Sequence, residues 1–351
     1  SKTSYNGNYG LNASWTIYNG SKRLNTIKQE RLNNQVANLD VETSENSIQE
    51  SIAQIYIQIL YAAESVKVNE NTLQVSIAQR DRGQELLNAG SIAKSDFAQL
   101  EAQVSTDRYQ LVTAQATLQD YKLQLKQLLE LDGENEMNIY LPALSDENVL
   151  LPLPAKKDVY MSALTLRPEI EASKINVEAS ELGIDIAKAG YLPTISLSAG
   201  IGTNHTSGSD FTFGEQVKNG WNNSIGVSVS VPIFNNRQTK SAVQKAKLQR
   251  ETSLLSLLDE QKTLYKTIEG LWLDANSAQQ RYAAANEKLK STQISYDLIS
   301  EQFDLGMKNT VELLTEKNNL LQAQQEQLQA KYMAILNTQL LKFYQGDKLA
   351  L

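Results

Sequence analysis

The 351-residue chain has no cysteine, one histidine and only 6 prolines. Without Cys there is no disulfide framework, thiolate metal site or thiol nucleophile. His205, in a run of Gly, Asn, Ser and Thr, reads as a lone surface imidazole. No apolar stretch reaches the roughly 20 residues of a membrane-spanning helix, and no signal peptide stands at Ser1. A formal charge of -7 with no basic stripe excludes nucleic acid as a partner. Phosphate-binding glycine loops, metal-ligand clusters and nucleophile motifs are missing too. The many carboxylates fall beside Lys and Gln at solvated helical positions. The chain is therefore not read as an enzyme, and no cofactor or resident metal is expected.

Charge is also missing from every stretch with a strand pattern. Ile225, Val227, Val229 and Val231 alternate with Gly226, Ser228 and Ser230, and Tyr9, Leu11, Ala13 and Trp15 alternate with Gly10, Asn12 and Ser14. That is the period of a β-strand. A third such run covers 194–202. No Lys, Arg, Asp or Glu interrupts them on either face, whereas soluble strands usually carry charge. About 9 to 11 tilted residues with an apolar outer face and aromatic ends fit a strand that crosses a bilayer. Tyr9, Trp15, Tyr18, Tyr191, Trp221 and Phe234 lie at or near these ends, at the level expected for lipid headgroups. Leu11, Ala13, Ile195, Leu197, Val227 and Val229 form the expected lipid-facing set.

The strand-to-helix joint occurs twice. Gly10, Trp15, Ile17, Tyr18 and Asn19 return at one constant spacing as Gly226, Val231, Ile233, Phe234 and Asn235. From this spacing, material matching 156–221 is expected to precede Ser1, and the chain reads as lacking its start. After each joint comes a long run suited to helix. One from about 21 to 87 would extend about 100 Å at about 1.5 Å per residue. Its Ile48, Ile52, Ile55, Ile59, Ala62 and Val66 advance by four and three, a heptad seam. The seam returns at the same spacing as Leu264, Ile268, Leu271, Ala275, Ala278 and Tyr282. A second helix runs to about Leu131, and the counterparts of the two helices cover 237–304 and 308–346. Gly90 and Gly306 are placed to end the first helix of each hairpin.

The expected organisation is a strand and loop over 1–20, with residues 1–8 a loop and the strand at 9–18, and a helical hairpin over 21–134. An irregular segment over 135–157 joins the repeats, and one helix fills 158–190 with Pro168 near its start. A strand pair and a hydrophilic loop, 203–221, make up 191–236. The second hairpin over 237–346 and a tail at 347–351 complete the chain. The fold class is mainly α with a small β part. Strand edges cannot be left open in hydrocarbon, and three or four strands cannot close a barrel, so several chains must share one. Three chains of four strands is the smallest count that leaves an open lumen.

These features resemble the TolC-like channel-tunnels of the bacterial outer-membrane efflux protein family. The resemblance rests on the strand exits at 15–20 and 231–236, the run Arg167-Pro168-Glu169, the segment 187–193, and the turns at 89–96 and 303–314. It implies long antiparallel hairpins forming a periplasmic α-barrel, and strands contributing to a shared 12-stranded transmembrane β-barrel in a homotrimer. It also implies an outer-membrane exit duct for efflux or type I secretion, docked to a periplasmic adaptor (membrane fusion protein) and an inner-membrane transporter, with outer-membrane lipid around the barrel. The rival is a soluble or surface-attached coiled-coil scaffold, which leaves the charge-free strands unexplained. With 4 Met, one His and no Cys, the chain offers few soft ligands for copper or silver cargo.

The resemblance places adaptor docking at Ala89, Gly90, Ser91, Leu305, Gly306 and Met307. It places a periplasmic gate at Ser95, Asp96, Phe303 and Lys308, where an aromatic and a base of one hairpin hold a hydroxyl and an acid of the other. Phe303 stands where the family has tyrosine and Lys308 where it has arginine, which predicts a looser latch. The acidic constriction keeps Glu312, while its second position is Thr315.

Overall fold

The computed structural model describes residues 5–131, 139–142, 146 and 149–349. Expectations for the first four residues, the last two and parts of 132–148 lie outside them. The elements run β1 (Asn6–Asn19), α1 (Lys22–Asn88), α2 (Lys94–Leu128), α3 (Lys156–Leu166), α4 (Pro168–Lys188), β2 (Thr194–Thr206), α5 (Phe213–Asn219), β3 (Asn222–Ser230), α6 (Gln238–Asp304) and α7 (Thr310–Gln345). Among the described residues no helix is long and apolar enough to cross a membrane. The chain divides into two compact units. One is Ser1–Val41 with Pro168–Glu260, the other Glu42–Arg167 with Gln261–Leu351. Each unit draws on both repeats, so the division runs across the sequence duplication.

In the first unit the three strands form one antiparallel sheet, ordered β1-β2-β3. Its register sorts the side chains. Leu11 faces Ile201, Ala13 faces Ala199 and Trp15 faces Leu197, while Ile195 faces Val229 and Leu197 faces Val227. On the other side, Asn12 meets Gly200, Ser14 meets Ser198 and Thr16 meets Ser196. Ser196 in turn meets Ser228, and Ser198 meets Gly226. Alternation within strands thus becomes two continuous faces, one apolar and one small and uncharged. A bulge between Thr16 and Tyr18 returns Tyr18 to the apolar face. The strand begins earlier than its pattern, because Asn6, Gly7 and Asn8 pair with Thr206, His205 and Asn204. β2 likewise runs on to Thr206, so His205 is a strand residue and not part of a loop.

The repeated joint is also repeated in backbone. Gly20 and Ser21 take φ of 66° and 64°, and their counterparts Asn236 and Arg237 in the second joint take 51° and 62°. Two successive left-handed residues turn each strand exit into its helix, a conformation L-residues adopt at a cost. Only Gly could fill the place of Gly20, since an added Cβ would lie 2.8 Å from Leu192 Cβ and 2.9 Å from the Ala189 carbonyl. Asn19 accepts from the Arg23 amide at 3.2 Å. Its counterpart Asn235 bonds Thr239, which reaches the Gly190 carbonyl.

In the second unit, Ala53, Ile57 and Leu60 of α1 pack with Tyr332, Leu336 and Leu340 of α7. Ala278 and Tyr282 of α6 pack with Ala330 and Ala334 of α7 and with Val149. The seam expected in α1 holds at Ile59, Ala62 and Val66, but Ile48 is 47% exposed. The stripe at Ala53, Ile57 and Leu60 adds a second buried face. Residues 149–155 are strapped to α6, with Trp272 donating to the Pro154 carbonyl at 3.1 Å and Gln279 to the Val149 and Leu151 carbonyls.

The single helix expected over 158–190 is two. Arg167 is extended, with ψ of 124°, because the ring of Pro168 disfavours helical geometry in the residue before it. Pro168 then opens α4 at the position where its missing N–H costs nothing. Arg167 is buried, bonded to Glu50 at 3.3 Å and stacked over Tyr344 at 4.3 Å.

Candidate functional site at the two hairpin turns

Each hairpin turns through the same device. Gly90 has φ of 75° and Gly306 of 71°. The Gly90 and Ser91 amides donate to the carbonyls of Leu87 and Leu86, at 3.0 and 2.8 Å. Those of Gly306 and Met307 donate to Phe303 and Gln302, at 2.9 and 2.8 Å. These paired bonds define the Schellman motif, which satisfies the last carbonyls of a helix. An added Cβ at either glycine would meet nothing within 4 Å, so backbone conformation alone selects glycine here. Ala89, Gly90, Ser91, Leu305, Gly306 and Met307 are all exposed, with Leu305 and Met307 at 69% and 71%.

The returning helices start with acids in matching places. Asn309 Oδ1 accepts from the Glu312 amide at 2.9 Å, and Glu312 Oε2 accepts from the Asn309 amide at 3.2 Å, a full capping box. Asp96, at the matching place in the first repeat, accepts from the Ala93 amide at 3.2 Å; the Ala93 methyl offers no acceptor to reciprocate. Lys308 Nζ lies 2.6 Å from Glu312 Oε1. The Lys308 ammonium, followed by the Asn309 amide, holds the Glu312 carboxyl below its ordinary range. Thr315 is exposed and donates back to the Val311 carbonyl at 2.7 Å. Ser95 is exposed on the first turn of α2.

Phe303 is 2% exposed and packs with Leu100 and Leu313. Within one chain it is therefore the core of the turn region, and Lys308 and Asp96 each bond to the start of their own helix. Among the described residues, no hydrogen bond or ion pair inside the chain joins Phe303 or Lys308 to Ser95 or Asp96, the grouping expected from the sequence. Leu100 sits over Gly83, where a Cβ would come within 2.3 Å of Leu100 Cδ1. Arg82 donates to the Asp304 carbonyl at 3.2 Å, placing a cation on the C-terminal end of α6.

Sequence reasoning missed the polar cluster further along these helices. Lys317, Asp107 and Ser76 are 3%, 2% and 2% exposed and mutually bonded. Gln103 donates to the second Asp107 oxygen at 2.9 Å. Burial pulls the Lys317 ammonium below its ordinary value, and Asp107 opposes that pull. Asn309 was also missed, although Asn three residues before Glu is a legible capping signal.

A family model described as outer membrane efflux protein matches residues 1–130 and 159–346. The chain belongs to the outer membrane efflux protein family. It is 24% identical over 334 residues to the outer membrane efflux protein BepC of Brucella suis biovar 1, covering 94% of this chain and 70% of that protein. It is 24% identical over 317 residues to the outer membrane protein TolC of Escherichia coli K12, covering 86% of this chain and 62% of TolC. A solved structure of CusC superposes with a TM-score of 0.83 at 18% identity, over 99% of this chain and 83% of that one. The fold is thus that of the channel-tunnels, long helices of an α-barrel joined to strands of a β-barrel. Membership places the protein in the outer membrane with its helices in the periplasm. Family members are channels and not enzymes. The scaffold alternative finds no support.

Proposed function

We propose that the protein is the outer-membrane exit duct of a tripartite efflux or type I secretion system, conducting cargo passively and doing no chemistry itself. The observation that carries this reading is the sheet register, which puts Asn12, Ser198 and Ser228 on one face and Leu11, Leu197 and Val227 on the other. An apolar face suits lipid, and a face of small neutral groups suits a water-filled lumen. The outer edges of β1 and β3 are unpaired among the described residues. In hydrocarbon those edges require partner strands, and a homotrimer sharing one barrel supplies them, the three described strands of each chain making nine and a 12-stranded barrel taking a fourth from each. Native mass measurement in mild detergent tests this: three copies are expected, and a monomer that stays soluble without detergent would overturn it.

The exposed turns at Ala89-Gly90-Ser91 and Leu305-Gly306-Met307 are the proposed docking surface for a periplasmic adaptor that bridges to an inner-membrane transporter. A bulky residue at Ser91 should abolish adaptor cross-linking in a folded trimer. The closed gate is proposed at the same end, with Ser95, Asp96, Phe303 and Lys308 around it and Glu312 and Thr315 at the constriction. Three copies of Glu312 converging on an axis would favour cations, moderated by Lys308. Glu312→Gln should lower cation selectivity, and unchanged selectivity would remove Glu312 from the constriction.

A further inference from the structure

The connection from β2 to β3 leaves the sheet at the end remote from the helical joints, and it carries α5. Three contacts fix the side of the sheet on which α5 rests. The Phe213 ring lies edge-on to Tyr9, with centroids 6.3 Å apart, and 5.0 Å from His205. Thr203 donates its hydroxyl to the Val217 carbonyl at 2.8 Å. Tyr9 and Thr203 face each other across β1 and β2, in phase with Leu11 and Ile201, and His205 is two residues further on the same face. α5 therefore lies on the apolar side of the sheet, away from Gly10, Asn12 and Ser224.

The aromatic residues at this end of the sheet and in its connection are uncovered. Tyr5, in phase with Tyr9, is 71% exposed, Phe211 59%, Phe213 55%, Trp221 54% and Tyr9 itself 53%. A contiguous exposed patch of this kind marks a contact surface. It lies on the same face as Leu11, Val227 and Val229, with Thr203 and Asn223 between the aromatic end and the apolar stripe. From Tyr9 to Tyr18 the strand spans about 30 Å, or about 23 Å across a bilayer at a tilt of about 40°. That matches the roughly 25 Å apolar band between the two aromatic girdles of an outer-membrane barrel. Phe213 stands beside Tyr9, at the girdle remote from the helices, and Phe211 precedes it by two residues.

We propose that the α5 loop is a lipid-seated collar, folded outward over the barrel wall with Phe211 and Phe213 at the headgroup boundary of the outer leaflet. It leaves the pore mouth uncovered. The inference rests on the reading that the apolar face of the sheet meets lipid.

The chain has no cysteine, so a single nitroxide can be placed by Phe211→Cys or Phe213→Cys in the reconstituted assembly. Gly214→Cys gives a further position, since an added Cβ there meets nothing within 4 Å. Relaxation by oxygen reports lipid and relaxation by a nickel chelate reports water. Labels at 211 and 213 should be several-fold more sensitive to oxygen than a label at Ser198→Cys on the polar face, and should approach Val227→Cys. If Val227→Cys responds to oxygen while the 211, 213 and 214 labels respond only to nickel, the collar is refuted and the lipid face stands. If Val227→Cys itself responds only to nickel, both fall.

Discussion

Lys317 of α7 and Asp107 of α2 form an ion pair sealed from solvent, with Ser76 of α1 completing it. Three helices from both hairpins thus meet at one charged point. Desolvating two charges offsets most of their attraction, so the pair adds little net stability while it stands, yet losing one partner strands the other. Asp107→Leu or Lys317→Met should each destabilise the fold by about 3 to 5 kcal/mol. The double variant Asp107→Leu with Lys317→Met should recover most of that loss. Thermal midpoints of the detergent-solubilised protein test this, and additive losses in the double variant would contradict it.

Acid should loosen the second turn selectively. The Glu312 carboxyl is held low by Lys308 and the Asn309 amide. A carboxyl depressed in the folded state contributes stability above its unfolded value of about 4.5 and loses it as pH falls through the depressed value. Amide exchange at Asn309 should therefore accelerate, relative to the core, as pH drops below about 4.5. Gln can keep the capping box but cannot titrate, so Glu312→Gln should remove this dependence. The same acid response in the variant would show that another group drives it.

Three glycines near the turns should separate by mechanism. Gly90→Ala and Gly306→Ala force an L-residue into left-handed backbone with free space around it, at a cost of about 1 to 2 kcal/mol each. Gly83 is a different case, inside α1 with Leu100 against it. Gly83→Ala gains helix propensity but displaces Leu100 from its packing with Phe303 and Leu313, for a net loss of about 1 to 3 kcal/mol. Thermal unfolding checks these losses, and hydrogen exchange at Phe303 should rise in the Gly83 variant and not in the Gly90 variant.

Much of this is legible in the sequence because local period and global placement agree. Period two in Ile225, Val227 and Val229 names the strand and its face, and the constant spacing between the repeats carries through to matching backbone at Gly20 and Asn236 and at Gly90 and Gly306. What escapes depends on neighbours distant in sequence. Lys317 and Asp107 read as solvated charges until α1, α2 and α7 surround them. Phe303 reads as a gate residue because the motif locates it along the chain, whereas its orientation follows from Leu100 and Leu313. The break at Arg167 is visible in Pro168 but is lost when the proline is treated as an early residue of one helix. α5 hides in a polar composition, though Thr212 and Glu215 form its capping box.

The proposed duct requires one face of the sheet to line an aqueous pore and the other to meet lipid. Single-channel recording of the reconstituted protein with Ser228→Arg and Val229→Arg, adjacent residues on opposite faces, tests it most directly. Ser228→Arg should change unitary conductance and shift selectivity toward anions. Val229→Arg should leave the conductance of assembled channels unchanged while lowering their yield modestly, in line with a cost of about 0 to 1 kcal/mol for arginine near the membrane interface, the level at which its pairing with Ile195, and through it Tyr18, places it. Equal effects at the two positions, or no channels from the wild-type protein, would contradict the account.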